Sequence, residues 1–271
     1  MPSLWFLGGP MIQQGARVLL RGEDGREYLV EVDGRRFSTQ HGFIELGELV
    51  GRPYGIGVKT HQGRVFHVFR PTLEEVVRHT KRQTQIIYPK EVGYLVTKLG
   101  IGPGMTVVEC GTGSGGLSTA LAWFLGPQGR LITYEARPEF AELARKNLEK
   151  AGLADRVEVK VREVGEVGFD EEEEADAVVL DMRSPWLLLE HAWRALKGGA
   201  PLGILVPTTN QVSDTLRAME RLPFAAVEVC ELLLRRWKAV PDRLRPDDRM
   251  VAHTGFLVFG RKVLNGQGKG D

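Results

Sequence analysis

The sequence predicts an α/β protein in two parts: a small N-terminal all-β domain over residues 1–72, and a doubly wound sheet with an antiparallel last strand over residues 73–264. Three observations carry this prediction. From about residue 105 onward, short β-branched apolar runs alternate with amphipathic stretches of helical period, as parallel strands joined by crossover helices do. The turn after the first run, within VVECGTGSGGLS (107–118), is glycine-rich and opens directly into an apolar helix. Finally, two strand-like segments, 227–240 and 255–261, are joined only by the polar, proline-containing stretch 241–253. Strands joined without a crossover helix pair antiparallel.

Residues 11–72 read as short strands, with hairpin-type turns at Glu23-Asp24-Gly25, Asp33-Gly34 and Gln62-Gly63 and strands such as 27–32 and 65–69, which implies a small barrel or sandwich. Arg35, Arg36 and His41 either line a contact surface or are solvated loop residues. Pro71-Thr72 then opens a linker helix, with Thr72 as N-cap and Glu74-Glu75 complementing the helix dipole. After a polar and basic stretch from Thr80, Pro89 pushes Tyr88 into an extended conformation and starts a helix over 90–99. Tyr88 sits on a fixed corner; a half-buried tyrosine with a satisfied hydroxyl is the competing reading.

In the sheet domain the expected strands are 105–109, 130–134, 157–161, 175–180 and 202–206, with helices over 117–125, 138–151, 187–196 and 209–222. Glycines in the first turn bring backbone N–H groups close to a ligand, and the helix N-terminus favours a polar or anionic group there, so a nucleotide-like cofactor is expected. The turn fits two templates. Gly111, Gly113 and Gly116 satisfy the dinucleotide pattern, whereas Gly111, Gly113 and Gly115 satisfy that of S-adenosylmethionine enzymes. Glu135, at the end of the second strand, suits a ribose diol, which both cofactors carry. A carboxylate at Glu163 after the third strand could accept from an adenine amine, and Asp181 stands at the C-terminal end of the fourth strand, where open α/β sheets place ligands. The acidic run 170–176 reads as a solvated loop. The antiparallel tail marks the Rossmann-like methyltransferase variant of the fold and tips the choice to S-adenosylmethionine. Residues 265–271 have nothing to bury and are predicted disordered.

Composition sets outer bounds. Hydrophobic and charged contents of 42% and 26% are ordinary for a soluble protein, and no apolar run approaches a membrane span. A short apolar start without a basic flank is no secretory signal, and two cysteines build neither a disulfide scaffold nor a zinc site, so a cytoplasmic protein without metal is expected. With a net charge of +1, any nucleic-acid partner must be met by local basic patches.

Several separated motifs together resemble the tRNA (adenine-58-N1)-methyltransferase family: Gln85-Ile-Ile-Tyr-Pro-Lys-Glu91, Glu109-Cys-Gly-Thr-Gly-Ser-Gly-Gly-Leu-Ser118, Asp181-Met-Arg-Ser-Pro-Trp186, Pro207-Thr-Thr-Asn-Gln-Val212, Glu231 with Arg236-Trp237, and Arg52-Pro-Tyr-Gly55. The resemblance implies a homotetramer that methylates N1 of an adenine in the tRNA T-loop. It places Ser114, Gly115, Gly116 and Leu117 against the methionine part of S-adenosylmethionine, Glu135 on its ribose, and Glu163 with Val164 on its adenine, with Ile87 and Phe140 flanking. Glu163 replaces a more usual Asp, with Glu166 a possible stand-in, and the Phe140 position varies within the family. Leu205 stands where some bacterial members carry an aromatic, so stacking must come from Tyr88 or Trp237.

In such a reaction positive charge leaves sulfur and appears on the base, so the enzyme must align the reactants and place a negative group near the developing cation. Asp181 suits both tasks and Tyr88 suits holding the base; a structural cap for the Pro185-Trp186 turn is the plainer role for Asp181. The target adenine must be extruded from folded tRNA. Arg82, Gln85, Arg236 and Trp237 are the expected RNA contacts, with Arg78, Lys81, Arg235 and Lys238 adding phosphate binding. Two rivals remain at this level: a non-catalytic tRNA-binding subunit of the same family, and an NAD-dependent oxidoreductase.

Overall fold

A computed structural model describes residues 9–81 and 87–264 of the chain. The expected tail 265–271 and the candidate contacts Arg82 and Gln85 lie outside the described residues.

The N-terminal part contains β1 (Arg17–Gly22), β2 (Glu27–Glu31), β3 (Arg36–Thr39), β4 (Gly42–Glu45), β5 (Gly57–Lys59) and β6 (Val65–Phe69). Four of these form an antiparallel sheet in the order β2-β1-β6-β5, and β3 and β4 form a separate ribbon. Alternation in β1 and β6 turns Val18, Leu20, Phe66 and Val68 into one core with Ile12, Val32, Ile44 and Leu49. The turns at Glu23-Asp24-Gly25 and Gln62-Gly63 close hairpins as expected. Asp33-Gly34 does not: it leads from β2 of the sheet into β3 of the ribbon, because β3 takes β4 as its partner.

Helix α1 (Leu73–Arg78) begins with a complete capping box, Thr72 Oγ1 accepting from the Glu75 N–H and Glu75 Oε2 from the Thr72 N–H at 2.7 Å. Helix α2 (Pro89–Leu99) has its proline at the first turn and Tyr88 extended before it, and it ends on Gly100 in the left-handed region. There follow β7 (Thr106–Cys110), α3 (Gly116–Leu125), β8 (Arg130–Glu135), α4 (Pro138–Lys150), β9 (Val157–Val161), α5 (Val164–Val167), β10 (Ala177–Leu180), α6 (Leu189–Ala195), β11 (Pro201–Val206), α7 (Thr209–Met219), β12 (Phe224–Glu231), β13 (Trp237–Lys238), β14 (Arg245–Pro246) and β15 (Phe256–Lys262).

The large sheet runs β12-β15-β11-β10-β7-β8-β9. Strands β7 to β11 are parallel; β15 returns antiparallel between β11 and β12. Strand β12 ends at Glu231 rather than running on to residue 240, because Glu231 pairs with Phe256, the first residue of β15, and nothing lies beyond to receive another ladder bond. The chain between them instead folds back as the β13–β14 ribbon. Period-two alternation sends Val107 and Val179 into one apolar layer with α2 and α3, and Val108, Val178 and Leu180 into a second layer with α6. Leu29 of β2 packs against the first layer, so the N-terminal sheet leans on the larger core.

The acidic run is not simply solvated. Glu171 is buried, receiving the Tyr134 hydroxyl at 2.7 Å and the Lys160 ammonium at 3.0 Å; Asp170 pairs with Lys160 and Arg162, Glu173 with Lys262, and Asp176 with Lys197. Long-range cations from β9, β15 and the α6–β11 loop convert a run of like charges into cross-links. Among the described residues no helix is long and apolar enough to cross a membrane, and no cluster of His, Cys, Asp and Glu could hold a metal ion.

Candidate active site

The glycine turn lies at the C-terminal ends of β7, β8 and β10, where the parallel strands release their chains. Gly111 has φ +103°, and a Cβ there would stand 1.9 Å from the Asp181 carbonyl oxygen. Only glycine lets the end of β10 pass this closely beside the turn, with the Asp181 N–H donating to the Cys110 carbonyl at 2.9 Å. Across the turn, the Gly111 N–H donates to the Tyr134 carbonyl at 3.0 Å and the Gly113 N–H to Glu135 Oε2 at 2.8 Å. Gly115 caps α3 from the left-handed region and packs against Ala144.

These elements enclose a cleft of about 260 Å³ lined by Gly111 to Ser114, Gly116, Leu117, Ile87, Glu135, Arg137 and Asp181 to Arg183. Of the predicted cofactor contacts, Ile87, Ser114, Gly116, Leu117, Glu135 and Asp181 therefore share one cavity. Gly115 stands just behind its wall. Phe140 lies outside the lining, with the Arg137 guanidinium 3.7 Å above its ring, Glu163 caps the short α5 through the Gly165 N–H, and Val164 is buried in the second apolar layer.

Three carboxyl groups meet here in different states. Glu135 is buried and accepts from two backbone N–H groups, Gly113 on Oε2 and Arg137 on Oε1 at 3.1 Å, with the Arg137 Nε 3.6 Å away. Each oxygen keeps a lone pair for a further donor. Glu109, directly beneath the turn, accepts from the Ser118 hydroxyl on Oε2 while its Oε1 is buried without a partner; burial pushes its carboxyl up to about 8. Asp181 accepts no hydrogen bond from any described residue, and desolvation alone raises it to about 6.

Tyr88 opens into a second, larger cleft lined also by Arg78, Lys90, Arg236 and Arg249. Ile87 lines both cavities, so the two clefts adjoin. Tyr88 is 44% exposed as a residue, and its hydroxyl has no partner among the described residues. Arg236 lines the same cleft, 3.7 Å from Glu74, whereas Trp237 stands outside it on the β13–β14 ribbon with its ring half exposed.

Sequence reasoning missed Thr112, Arg137, Met182 and Arg183 among the lining residues. It also missed Asn147, whose amide donates to the carbonyls of Ser114 at 2.8 Å and Lys81 at 2.9 Å, fastening the turn to the segment before Tyr88. A third omission is a polar node in which Lys90 reaches Glu91, the Leu232 carbonyl and Thr254, joining the start of α2 to the loop before β15. Their contacts span many residues, so no local pattern announces them.

A parallel sheet with this glycine turn, a carboxylate at the end of its second strand and an antiparallel strand slipped between the last two defines the Rossmann-like methyltransferase fold. The family model described as tRNA methyltransferase complex GCD14 subunit matches residues 64–245, and the chain belongs to that family. Among solved structures it is similar to a Thermotoga maritima protein described as a SAM-dependent O-methyltransferase (TM-score 0.89, 41% identity, 96% of this chain and 97% of that one). It is also similar to the tRNA (m1A58) methyltransferase TrmI of Aquifex aeolicus (TM-score 0.81, 37% identity, 94% and 99%). A curated relative from Methanocaldococcus jannaschii, tRNA (adenine(57)-N(1)/adenine(58)-N(1))-methyltransferase TrmI, is 31% identical over 267 residues, covering 90% of this chain and 94% of the relative.

Proposed function

We propose that this chain transfers the methyl group of S-adenosylmethionine to N1 of adenine 58 in the T-loop of tRNA, as a cytoplasmic homotetramer whose protomer divides into residues 1–72 and 73–264. One observation carries the reading: an unpartnered carboxylate, Asp181, faces a cleft whose floor is the glycine turn with Glu135. The residues fit the cofactor. Glu135 has one free lone pair on each oxygen for the two hydroxyls of a ribose, and the turn brings backbone close at Ser114 to Leu117 without side-chain bulk. When bound, S-adenosylmethionine supplies the electrophilic methyl group.

The work left to the chain is orientation and charge. In this reading Asp181 accepts a hydrogen bond from the adenine N6 amine, which turns N1 toward the cofactor floor, and its negative charge compensates the cation that appears on the methylated ring. With its carboxyl raised to about 6, Asp181 is mostly ionised at neutral pH, and the desolvation that raises it also strengthens its attraction for a cation. One charge-assisted hydrogen bond of about 1.5–3 kcal/mol expressed in the transition state gives roughly 10–100-fold in rate. Tyr88, with an open ring and hydroxyl one residue from the shared Ile87, is placed to stack on the extruded base. Phe140, Glu163 and Val164 complete the adenine end of the cofactor. Arg82, Gln85, Arg236 and Trp237 bind RNA.

The rival readings weaken on particular residues. An oxidoreductase leaves the lone Asp181 and the β12–β15 arrangement without purpose, and a silent RNA-binding subunit has no need to keep the Gly111–Asp181 approach and the Glu135 cradle intact. The similarity to a protein described as an O-methyltransferase raises one specific alternative, an oxygen acceptor.

Radiolabelled S-adenosylmethionine incubated with unmodified tRNA, and with a transcript carrying guanine at position 58, tests the proposal. The expected result is label recovered as 1-methyladenosine from the first RNA and none from the second. Label recovered as a 2′-O-methylnucleoside, or transfer that survives the adenine-to-guanine change, would overturn it.

A further inference from the structure

The loop that presents Asp181 carries a second unpartnered charge. Arg183 lines the same cleft, is exposed, and makes no ion pair with any described carboxylate. In this it differs from Arg137, the other arginine that lines the cleft. Arg137 at the same rim is held by Glu135 and by the Phe140 ring, Arg236 lies near Glu74, Arg78 pairs with Glu27, and Arg162 with Asp170. Arg183 and Asp181 are two residues apart, yet they form no salt bridge, and burial alone accounts for the state of the Asp181 carboxyl.

The backbone that carries them is pinned at both ends. At one end the Asp181 N–H is bound to the Cys110 carbonyl and the Asp181 carbonyl rests against Gly111. At the other, Gln211 near the start of α7 donates its amide to the Arg183 carbonyl at 2.9 Å. Gln211 is aimed in turn by Thr208, whose hydroxyl donates to Gln211 Oε1 at 2.7 Å. After Ser184 the chain enters the Pro185–Leu188 turn, which is buried at Pro185 and Leu188. The loop is thus fixed before, within and after its two charges.

A carboxylate and a guanidinium kept separate in one cleft match the two ends of a nucleotide, a base edge that donates hydrogen bonds and a phosphate that accepts them. We propose that Arg183 binds a backbone phosphate beside the adenine that Asp181 orients, and that Gln211 is the positioning residue that keeps the two groups from neutralising each other. This inference rests on the reading of the protein as an RNA methyltransferase. The same guanidinium chemistry would also take the carboxylate of the cofactor's methionine end, and the experiment separates the two.

The test uses the full-length protein with three variants, Arg183→Gln, Arg183→Lys and Gln211→Ala. For each, tRNA binding is followed by fluorescence anisotropy across a salt series, S-adenosylmethionine affinity by calorimetric titration, and kcat across pH. For Arg183→Gln the expected result is tRNA affinity lowered about 5- to 30-fold at low salt, a log–log salt slope flatter by about 0.7–0.9, the value for one phosphate, and cofactor affinity within twofold of the parent. Arg183→Lys restores the slope. Gln211→Ala flattens the slope in part, lowers kcat, and moves the acidic limb of its pH profile to lower pH, because a relaxed loop lets Arg183 leave the phosphate and reach Asp181. A purely structural role for Gln211 would leave that limb in place, and this outcome overturns the positioning assignment. An unchanged salt slope in Arg183→Gln, or a loss of cofactor affinity with the slope intact, overturns the phosphate assignment. Anisotropy needs no turnover, so a failure to methylate tRNA would refute the proposed function while leaving the Arg183 measurement readable.

Discussion

On the floor of the cleft the main polar groups are tied into the protein before any ligand arrives. Glu135 holds two backbone N–H groups, the Gly111 N–H holds the Tyr134 carbonyl, and the Ser114 carbonyl receives the Asn147 amide. On the acceptor side, the side chains of Asp181 and Arg183, and the Tyr88 hydroxyl in the adjoining cleft, have no partners among the described residues. The floor binds the same small molecule in every cycle, so a rigid, satisfied surface lowers the ordering cost of binding. The acceptor side must discriminate one base, and unpaired groups are the means: a site left with an unsatisfied charge is penalised unless the correct partner supplies the missing hydrogen bonds. Substitutions on the two sides should therefore fail differently.

The largest effect is expected at the seam between them. Gly111→Ala places a methyl group 1.9 Å from the Asp181 carbonyl oxygen at a φ of +103°, and both the overlap and the left-handed backbone must be relieved by parting the turn from β10. A destabilisation of roughly 3 kcal/mol or more is expected, with cofactor binding and turnover lost together. Thermal denaturation and calorimetric titration check it, and near-parental values in both would show that the seam is softer than its geometry implies.

Asp181→Asn comes next and should separate stability from activity. Turnover is expected to fall about 10- to 100-fold, with cofactor affinity retained within a few-fold. The sign for stability is the reverse. Because the folded-state carboxyl is raised to about 6, above its unfolded value near 3.9, ionisation opposes folding, and Asp181 costs stability progressively as pH rises from about 4 through 6. The asparagine variant should therefore melt higher than the parent at pH 7, by on the order of 1–3 kcal/mol. For the parent, kcat/KM should climb as pH passes through about 6. A variant both slower and less stable would make Asp181 a structural cap.

On the floor, Glu135→Gln is expected to weaken S-adenosylmethionine about 5- to 30-fold while leaving kcat at saturating cofactor close to the parent's. The amide nitrogen cannot accept, so one of the two backbone N–H groups loses its partner and one ribose hydroxyl its acceptor. Titration of cofactor beside saturated turnover reads this directly. A drop in kcat with unchanged affinity would move Glu135 from the floor to the chemistry.

The same contrast explains what could be read from the sequence. The floor is a local object: a β-branched strand, glycines at fixed offsets and an acid at the next strand end, all within 107–135. Asp181 was legible because a strand end is a place the fold reserves for ligands. What escaped was whatever depends on distant partners. Asn147 gives no sign in its helix that it will hold Ser114, the pairing of Asp33-Gly34 with a separate ribbon depends on β4, and the acidic run looked solvated because Lys160, Lys197 and Lys262 reach it from other elements. Arg183 gives no sign in the sequence that it lines the cleft, since that depends on where β10 ends beside the glycine turn.

A smaller effect is expected at the rim, where His253 bridges the Pro207 carbonyl and Glu231, each at 2.7 Å. Both neighbours accept, so both ring nitrogens can donate only when the imidazole is protonated, and these contacts raise His253 above its ordinary value, the Pro207 carbonyl contributing most. A raised histidine contributes stability that is complete below its unfolded value near 6.5 and is lost as pH rises through the folded value. The bridge ties the end of β12 to the loop before α7, the helix that carries Gln211, so it supports the acceptor side rather than the floor. His253→Gln should therefore lower the melting temperature slightly at about pH 5.5, with the deficit shrinking toward about pH 9, while cofactor affinity stays constant throughout. A deficit that did not change with pH would assign His253 to packing against Phe256, whose ring centroid lies 4.7 Å away.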